Sequence, residues 1–196
     1  GRGIARSTAA KWCRYARHFF EVAQRHEHIS ANPFAHIKGQ VRGNPARRVF
    51  VPGQTVQQII DATPDLEWKV LIALARFGGL RVPSEALALT WQDVQWDAKR
   101  LIVRASKTEH HADGGVRVVP LFPEIAGLLQ QAFDEAEPGA TFVISRYRDP
   151  TANLRQHFCR LIERAGHTPW PKPWQNLRAT RATELADHYP SHVCAA

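Results

Sequence analysis

The sequence has 196 residues, enough for one sizeable domain with room for part of another. Apolar residues make up 44% and charged residues 22%, a globular balance, and no run approaches the roughly 18 apolar residues of a membrane span. Cys13, Cys159 and Cys194 are an odd set without a CxxC pair, which speaks against a disulfide framework or a cysteine zinc site and fits a reducing, cytoplasmic setting. There is no methionine and no secretory leader, so the sequence reads as a processed chain or a piece of a longer one.

The formal charge is +8, and it is unevenly placed. Residues 1–52 hold 10 Lys/Arg against 2 Asp/Glu, whereas residues 53–196 hold 16 of each. A basic arm on a neutral domain points to a polyanionic partner, nucleic acid before membrane. Arginine outnumbers lysine 20 to 6, and the guanidinium is the better fork for phosphate.

Ser7 is the expected N-cap of a helix over 7–28. Its apolar residues Ala9, Trp12, Cys13, Ala16, Phe19, Phe20 and Ala23 span about 120° of the wheel. Lys11, Arg14, His18 and Arg25 form a cationic stripe opposite, either a solvated outer face or a surface for DNA. Asn32-Pro33 ends that unit. Residues 33–53 carry three prolines, three glycines and no acid, with Arg42, Arg47 and Arg48, and read as an extended basic linker. Helices are then expected over 54–62, 67–77 (stopped by Gly78-Gly79) and 83–89. Runs 101–105 and 116–121 read as strands joined by a polar hairpin loop. A helix over 123–136, a short strand over 141–145, and helices over 151–165 and 175–188 follow. The fold class is mainly α with a small antiparallel β-sheet (α+β).

Three basic residues stand where chemistry is plausible. Arg81 lies in Gly78-Gly79-Leu80-Arg81-Val82-Pro83-Ser84-Glu85, ahead of an expected helix start whose free N–H groups favour anions. Glu85 is four residues on, at the spacing of an ordinary structural ion pair. Lys107 enters the hairpin loop, and Arg178 sits near the start of the last helix, in Asn176-Leu177-Arg178-Ala179-Thr180.

The segment from Ala75 to Trp91, with Gly-Leu-Arg, Glu85 and then Leu89-Thr90-Trp91 and Asp93-Val94, resembles the first signature box of the tyrosine recombinases, the phage-integrase family. Ser106-Lys107-Thr108 resembles the family's catalytic lysine on its hairpin, followed by the Val119-Pro120-Leu121 strand. Asn176–Thr180 resembles the second box. The resemblance implies a tyrosine-recombinase catalytic fold over 54–196, C-terminally incomplete, a basic linker over 33–53, and the last helix of a helical, SAM-like core-binding domain over 1–32. It further implies double-stranded DNA as substrate and no cofactor or metal. A tyrosine becomes joined to the 3′ phosphate while the 5′ hydroxyl leaves. Arg81 and Arg178 would hold the non-bridging oxygens, Lys107 would be the general acid, and Glu85 would orient Arg81. The intact protein would work as a tetramer on paired sites, and this piece as a monomer.

Two departures follow. Gln175 stands three before Arg178, where the family has His, and an amide cannot accept a proton near neutral pH. The third box and the nucleophilic tyrosine have no counterpart in the 18 residues after Arg178. Tyr189 is expected to pack, and Tyr15 and Tyr147 fall elsewhere, so the chain is expected to bind DNA without cleaving it. A catalytically inactive DNA-binding relative is the alternative. A metal-dependent nuclease built on His110, His111 and Asp113 is a further one, without a supporting carboxylate cluster.

Overall fold

The computed structural model describes residues 3–37, 44–104, 115–149 and 152–190. The chain divides into two compact units, Gly1–Ala46 and Arg47–Ala196.

The first unit is built on helix α1, Arg6–Arg25. Ser7 is not its cap. Ala5 takes that place without a side-chain bond, and its carbonyl accepts the Thr8 and Ala9 N–H groups at 2.9 and 3.0 Å. The helix ends at Arg25, short of the expected 28, and Asn32 then turns the chain back. Its amide donates to the Arg17 carbonyl (3.0 Å), its Oδ1 accepts the Phe34 N–H (2.9 Å), and Phe34 stacks on Phe20 at 5.1 Å. The expected linker is therefore not uniformly extended: a turn occupies 33–36 and a 3-10 turn occupies Pro45–Arg47, set by Asn44 accepting the Ala46 N–H. The apolar face of α1 splits. Cys13, Ala16 and Phe20 are half-buried, but Trp12 and Phe19 are 55% and 69% exposed, and no α1 residue is buried.

The second unit contains α2 (Gly53–Ala62), α3 (Leu66–Arg76), β1 (Val94–Gln95), β2 (Arg100–Arg104), β3 (Val116–Pro120), α4 (Pro123–Asp134), α5 (Leu154–Arg164) and α6 (Pro173–His188). Helix α3 is its centre. Asp65 caps it by accepting the Trp68 N–H at 3.0 Å, and its residues from Val70 to Arg76 are all buried, against α2, α4 and α6. Such all-round burial explains why its sequence is apolar on every face. The strands form an antiparallel sheet in the order β1-β2-β3, with Leu101 opposite Val119 and Val103 opposite Arg117. Trp174 stacks on Phe158 at 4.1 Å and Trp170 meets it edge-on at 6.1 Å, fixing the start of α6 on α5.

Two expected elements differ. Residues 83–89 form turns, not a helix. The Glu85 and Ala86 N–H groups both return to the Arg81 carbonyl, and Leu87 to Pro83, but no regular ladder propagates. Residues 141–145 make a single bridge, Phe142 to Thr90, flanked by Trp91 N–H to Thr141 O and Val143 N–H to Leu89 O, each at 3.0 Å. The two-residue β1 was not anticipated, because two residues carry no period. Tyr189 closes α6 as its C-cap and is 53% exposed. Among the described residues, no helix is long and apolar enough to cross a membrane.

Candidate active site

The site begins at the end of α3. A Cβ on Gly78 would lie 2.9 Å from the Leu74 carbonyl and from Leu80, and Gly79 adopts φ +64°, so both positions require glycine for the chain to leave the helix here. This turn delivers Arg81. Glu85 closes back on it: Oε2 accepts the Arg81 backbone N–H at 2.9 Å and Oε1 pairs with Arg81 Nη1. The expected helix N-terminus behind Arg81 is absent, so a buried carboxylate, rather than a helix dipole, orders this arginine.

Sequence reasoning missed Arg117 on β3. Its Nη2 donates to Glu85 Oε2 at 2.6 Å and to the Gly79 carbonyl at 3.3 Å. Glu85 is 2% exposed. Burial by itself would raise its carboxyl pKa, but the bonds from Arg81 and Arg117 and the charges of both hold it below the ordinary 4.5. The one signal in the sequence was a lone arginine in the otherwise apolar run 116–121, beside the hairpin that carries Lys107.

Lys107 itself lies outside the described residues, as do Arg42, His110, His111 and Asp113. The base of its hairpin is described. Asp93 accepts from the Thr90 N–H (3.0 Å) and hydroxyl (2.6 Å) and pairs with Arg104, the last residue of β2. Against its burial, these bonds hold the Asp93 carboxyl below 3.8. The tail of the first box is thereby tied to the strand leading to Lys107.

Helix α6 carries Arg178 half-buried. Two neighbours on the helix lock its first turns. Asn176 donates to the Arg47 and Pro171 carbonyls (3.0 and 2.6 Å), and Thr180 Oγ1 accepts the Val51 N–H at 3.0 Å. Further along, Glu184 takes both ends of the Arg76 guanidinium, which is 1% exposed and whose Nε donates to the Val51 carbonyl at 3.2 Å. Arg76 is the last residue of α3, so this pair joins the two elements that supply Arg81 and Arg178. Burial, and then the charges of Arg81 and Arg117, lower the Arg178 pKa from its ordinary value, with Glu85 opposing. It remains a cation at any physiological pH. Three arginines thus share one field around one carboxylate, and among the described residues Arg178 has no ion-pair partner of its own. Gln175 is exposed at the start of the same helix.

The other expected basic residues are elsewhere. Lys11, Arg14, His18 and Arg25 are exposed on α1, and Arg47 and Arg48 are exposed at the start of the second unit. No group of His, Cys, Asp and Glu side chains among the described residues is arranged to hold a metal ion.

Around the buried Glu85 this α+β unit gathers three arginines, more positive charge than the one carboxylate neutralises. The model of the phage integrase family matches residues 50–193, and the chain belongs to that family, the tyrosine recombinases. No curated protein matches the sequence. Among solved structures, the chain is similar to the Tn1549 transposon integrase in complex with transposon right end DNA (TM-score 0.77, 18% identity, 98% of this chain and 71% of that one). It is similar to a lambda integrase dimer bound to a COC′ core site (0.70, 20%, 96% and 70%). It is also similar to a lambda integrase tetramer bound to a Holliday junction (0.65, 20%, 93% and 55%). At these identities the likeness is one of fold, and the chain spans 55% to 71% of the length of those chains.

Proposed function

We propose that this chain holds a DNA phosphodiester on Arg81 and Arg178 as the phosphate-binding part of a site-specific recombinase. The observation that carries the reading is Arg178: a half-buried guanidinium with no carboxylate of its own among the described residues, in the field of two further arginines anchored by Glu85. Arginines so crowded repel one another, and a phosphate group relieves that repulsion. At the transition state the non-bridging oxygens gain charge, so prepositioned guanidiniums lower the barrier without a metal. In this reading Lys107 protonates the leaving 5′ oxygen. Glu85 orients Arg81, and Gln175 takes the place of a histidine with a hydrogen bond alone. The exposed Lys11, Arg14, His18, Arg25, Arg47 and Arg48, together with Arg42, supply sequence-independent contact to the DNA backbone.

The reading assigns the nucleophile to none of Tyr15, Tyr147 or Tyr189. Tyr147 O–H lies 3.4 Å from Asp65, and Tyr189 is about 16 Å along α6 from Arg178 at the usual helical rise. The 196-residue chain therefore binds DNA and does not cut it, and cleavage belongs to an intact protein that supplies a tyrosine, acting as a tetramer on paired sites. Residues 1–32 are read as the last helix of a core-binding domain, with residues 33–53 as its junction to the catalytic domain. Gln175 also supports a second reading, a relative that holds DNA without turning it over.

The test is the affinity of the chain for a short DNA duplex. Arg81→Gln and Arg178→Gln should each weaken binding, and unchanged affinity in both would refute the assignment. Extending the reading frame past Ala196 separates the two readings: a tyrosine that forms a covalent DNA adduct supports the recombinase, and its absence supports the inactive relative.

A further inference from the structure

We propose that Arg117 is a positioning residue of this site, holding Glu85 in the orientation that aims the Arg81 guanidinium at its anion. The proposal rests on the reading that Arg81 and Arg178 hold phosphate.

The geometry that supports it is a shared oxygen. Glu85 Oε2 accepts both the Arg81 backbone N–H (2.9 Å) and Arg117 Nη2 (2.6 Å), while Oε1 engages Arg81 Nη1. A carboxylate held by three donors in a buried place has one available orientation. Arg81 Nη1 is thereby spoken for, and its remaining N–H edge is left for a ligand. Without Arg117, the only charge compensation for Glu85 within hydrogen-bonding reach among the described residues is Arg81, the group it is meant to aim. Arg117 also fixes the turn itself, through its bond to the Gly79 carbonyl.

Arg117 acts through Glu85 and not on the anion directly. Its side chain is 20% exposed, its Nη2 is committed to Glu85 and Gly79, and its Nε is buried without a hydrogen-bond partner among the described residues. Its backbone is held in the β2–β3 ladder opposite Val103. The sheet that carries the Lys107 hairpin and the turn that carries Arg81 are therefore set against each other by one side chain. The charged groups facing Glu85 are Arg81 from its own turn, Arg117 from β3 and Arg178 from α6.

The experiment titrates inorganic phosphate into the 196-residue chain, reading the arginine Nε–H signals by NMR and the fold by its denaturation midpoint. Arg117→Gln should weaken phosphate binding about tenfold. It should also move the acid limit of binding to higher pH, because Glu85 loses a partner that keeps it ionised and then protonates nearer 4.5. In a Glu85→Gln background, Arg117→Gln should make no further difference, because the two act as one unit. Arg117→Lys keeps the charge and should keep the acid limit low; it carries the test if the glutamine variant does not fold. Three results would overturn the proposal: wild-type phosphate binding with an unmoved acid limit in Arg117→Gln, a full additive loss in the Glu85→Gln background, or a lowered midpoint with binding intact. Failure of the underlying reading looks different, because Arg81→Gln and Arg178→Gln would then also leave phosphate binding unchanged.

Discussion

The two units both carry excess positive charge, but they hold it in opposite ways. Residues 1–46 contain 8 Lys/Arg and 2 Asp/Glu, and five of those basic residues lie on α1, a helix with no buried residue. Residues 47–196 contain 18 and 16, close to neutrality, yet they gather Arg81, Arg117 and Arg178 around a single buried Glu85. Charge count describes the first unit well and the second badly. Solvated cations on α1 are interchangeable and screened by salt. In the second unit Arg76, Arg81 and Arg117 are each held by a specific carboxylate, a geometry a lysine would not reproduce.

That difference is sharpest where a buried guanidinium loses its place. Arg76→Ala removes a side chain that is 1% exposed and leaves Glu184 with Arg181 alone at 3.5 Å, so it should cost about 3 kcal/mol by denaturant unfolding. A cost under about 1 kcal/mol would mean the α3–α6 pair is ornamental. Glu85→Ala leaves Arg117 and Arg81 without their acceptor and should cost about 3 kcal/mol, reduced because Arg81 can turn to solvent. Thr180→Val takes the acceptor from the buried Val51 N–H and should cost about 1 kcal/mol, read as a lower melting temperature. At the small end, Lys11→Gln and Arg14→Gln should leave stability within about 0.5 kcal/mol, while each lowers the salt slope of DNA binding by about 1.

Acid should break the second unit selectively. Glu85, Asp93 and Glu184 all have carboxyls held below their ordinary values of 4.5, 3.8 and 4.5 despite burial. A carboxyl depressed in the folded state adds stability above its unfolded value and loses that contribution as pH falls through its folded one. Stability should therefore be flat down to about pH 5 and fall steeply below about pH 4. Glu85→Gln should flatten part of that fall, and an unchanged profile would show that its partners do not hold the ionised form.

The contrast also explains what the sequence disclosed. Helices α2 to α5 were legible because each carries a clear apolar period or an uninterrupted apolar run, with Gly, Pro or Asn at its ends, whereas α6 has no such period. Gly78-Gly79, Arg81 and Glu85 were legible because they are close in sequence and their spacing resembles a known box. Arg117 was not, because its partner Glu85 lies 32 residues away and nothing local ties a strand arginine to a turn glutamate. The Arg76–Glu184 pair, 108 residues apart, was hidden for the same reason. The expected helix at 83–89 failed because the Glu85 side chain turns back onto the Arg81 N–H while the Arg81 carbonyl takes both the Glu85 and Ala86 N–H groups, so no regular ladder follows. On α1 the opposite error arose: an apolar stripe implied burial, whereas Trp12 and Phe19 face solvent.

The most direct test of the central claim is to titrate the chain with a short DNA duplex and follow the arginine Nε–H resonances by NMR. The account predicts that Arg81 and Arg178 shift together and become protected from solvent exchange as a phosphate seats between them. Unmoved Arg81 and Arg178 signals, with changes confined to Arg14 and Arg25 on α1, would contradict it and leave the second unit's arginines as structural ion pairs.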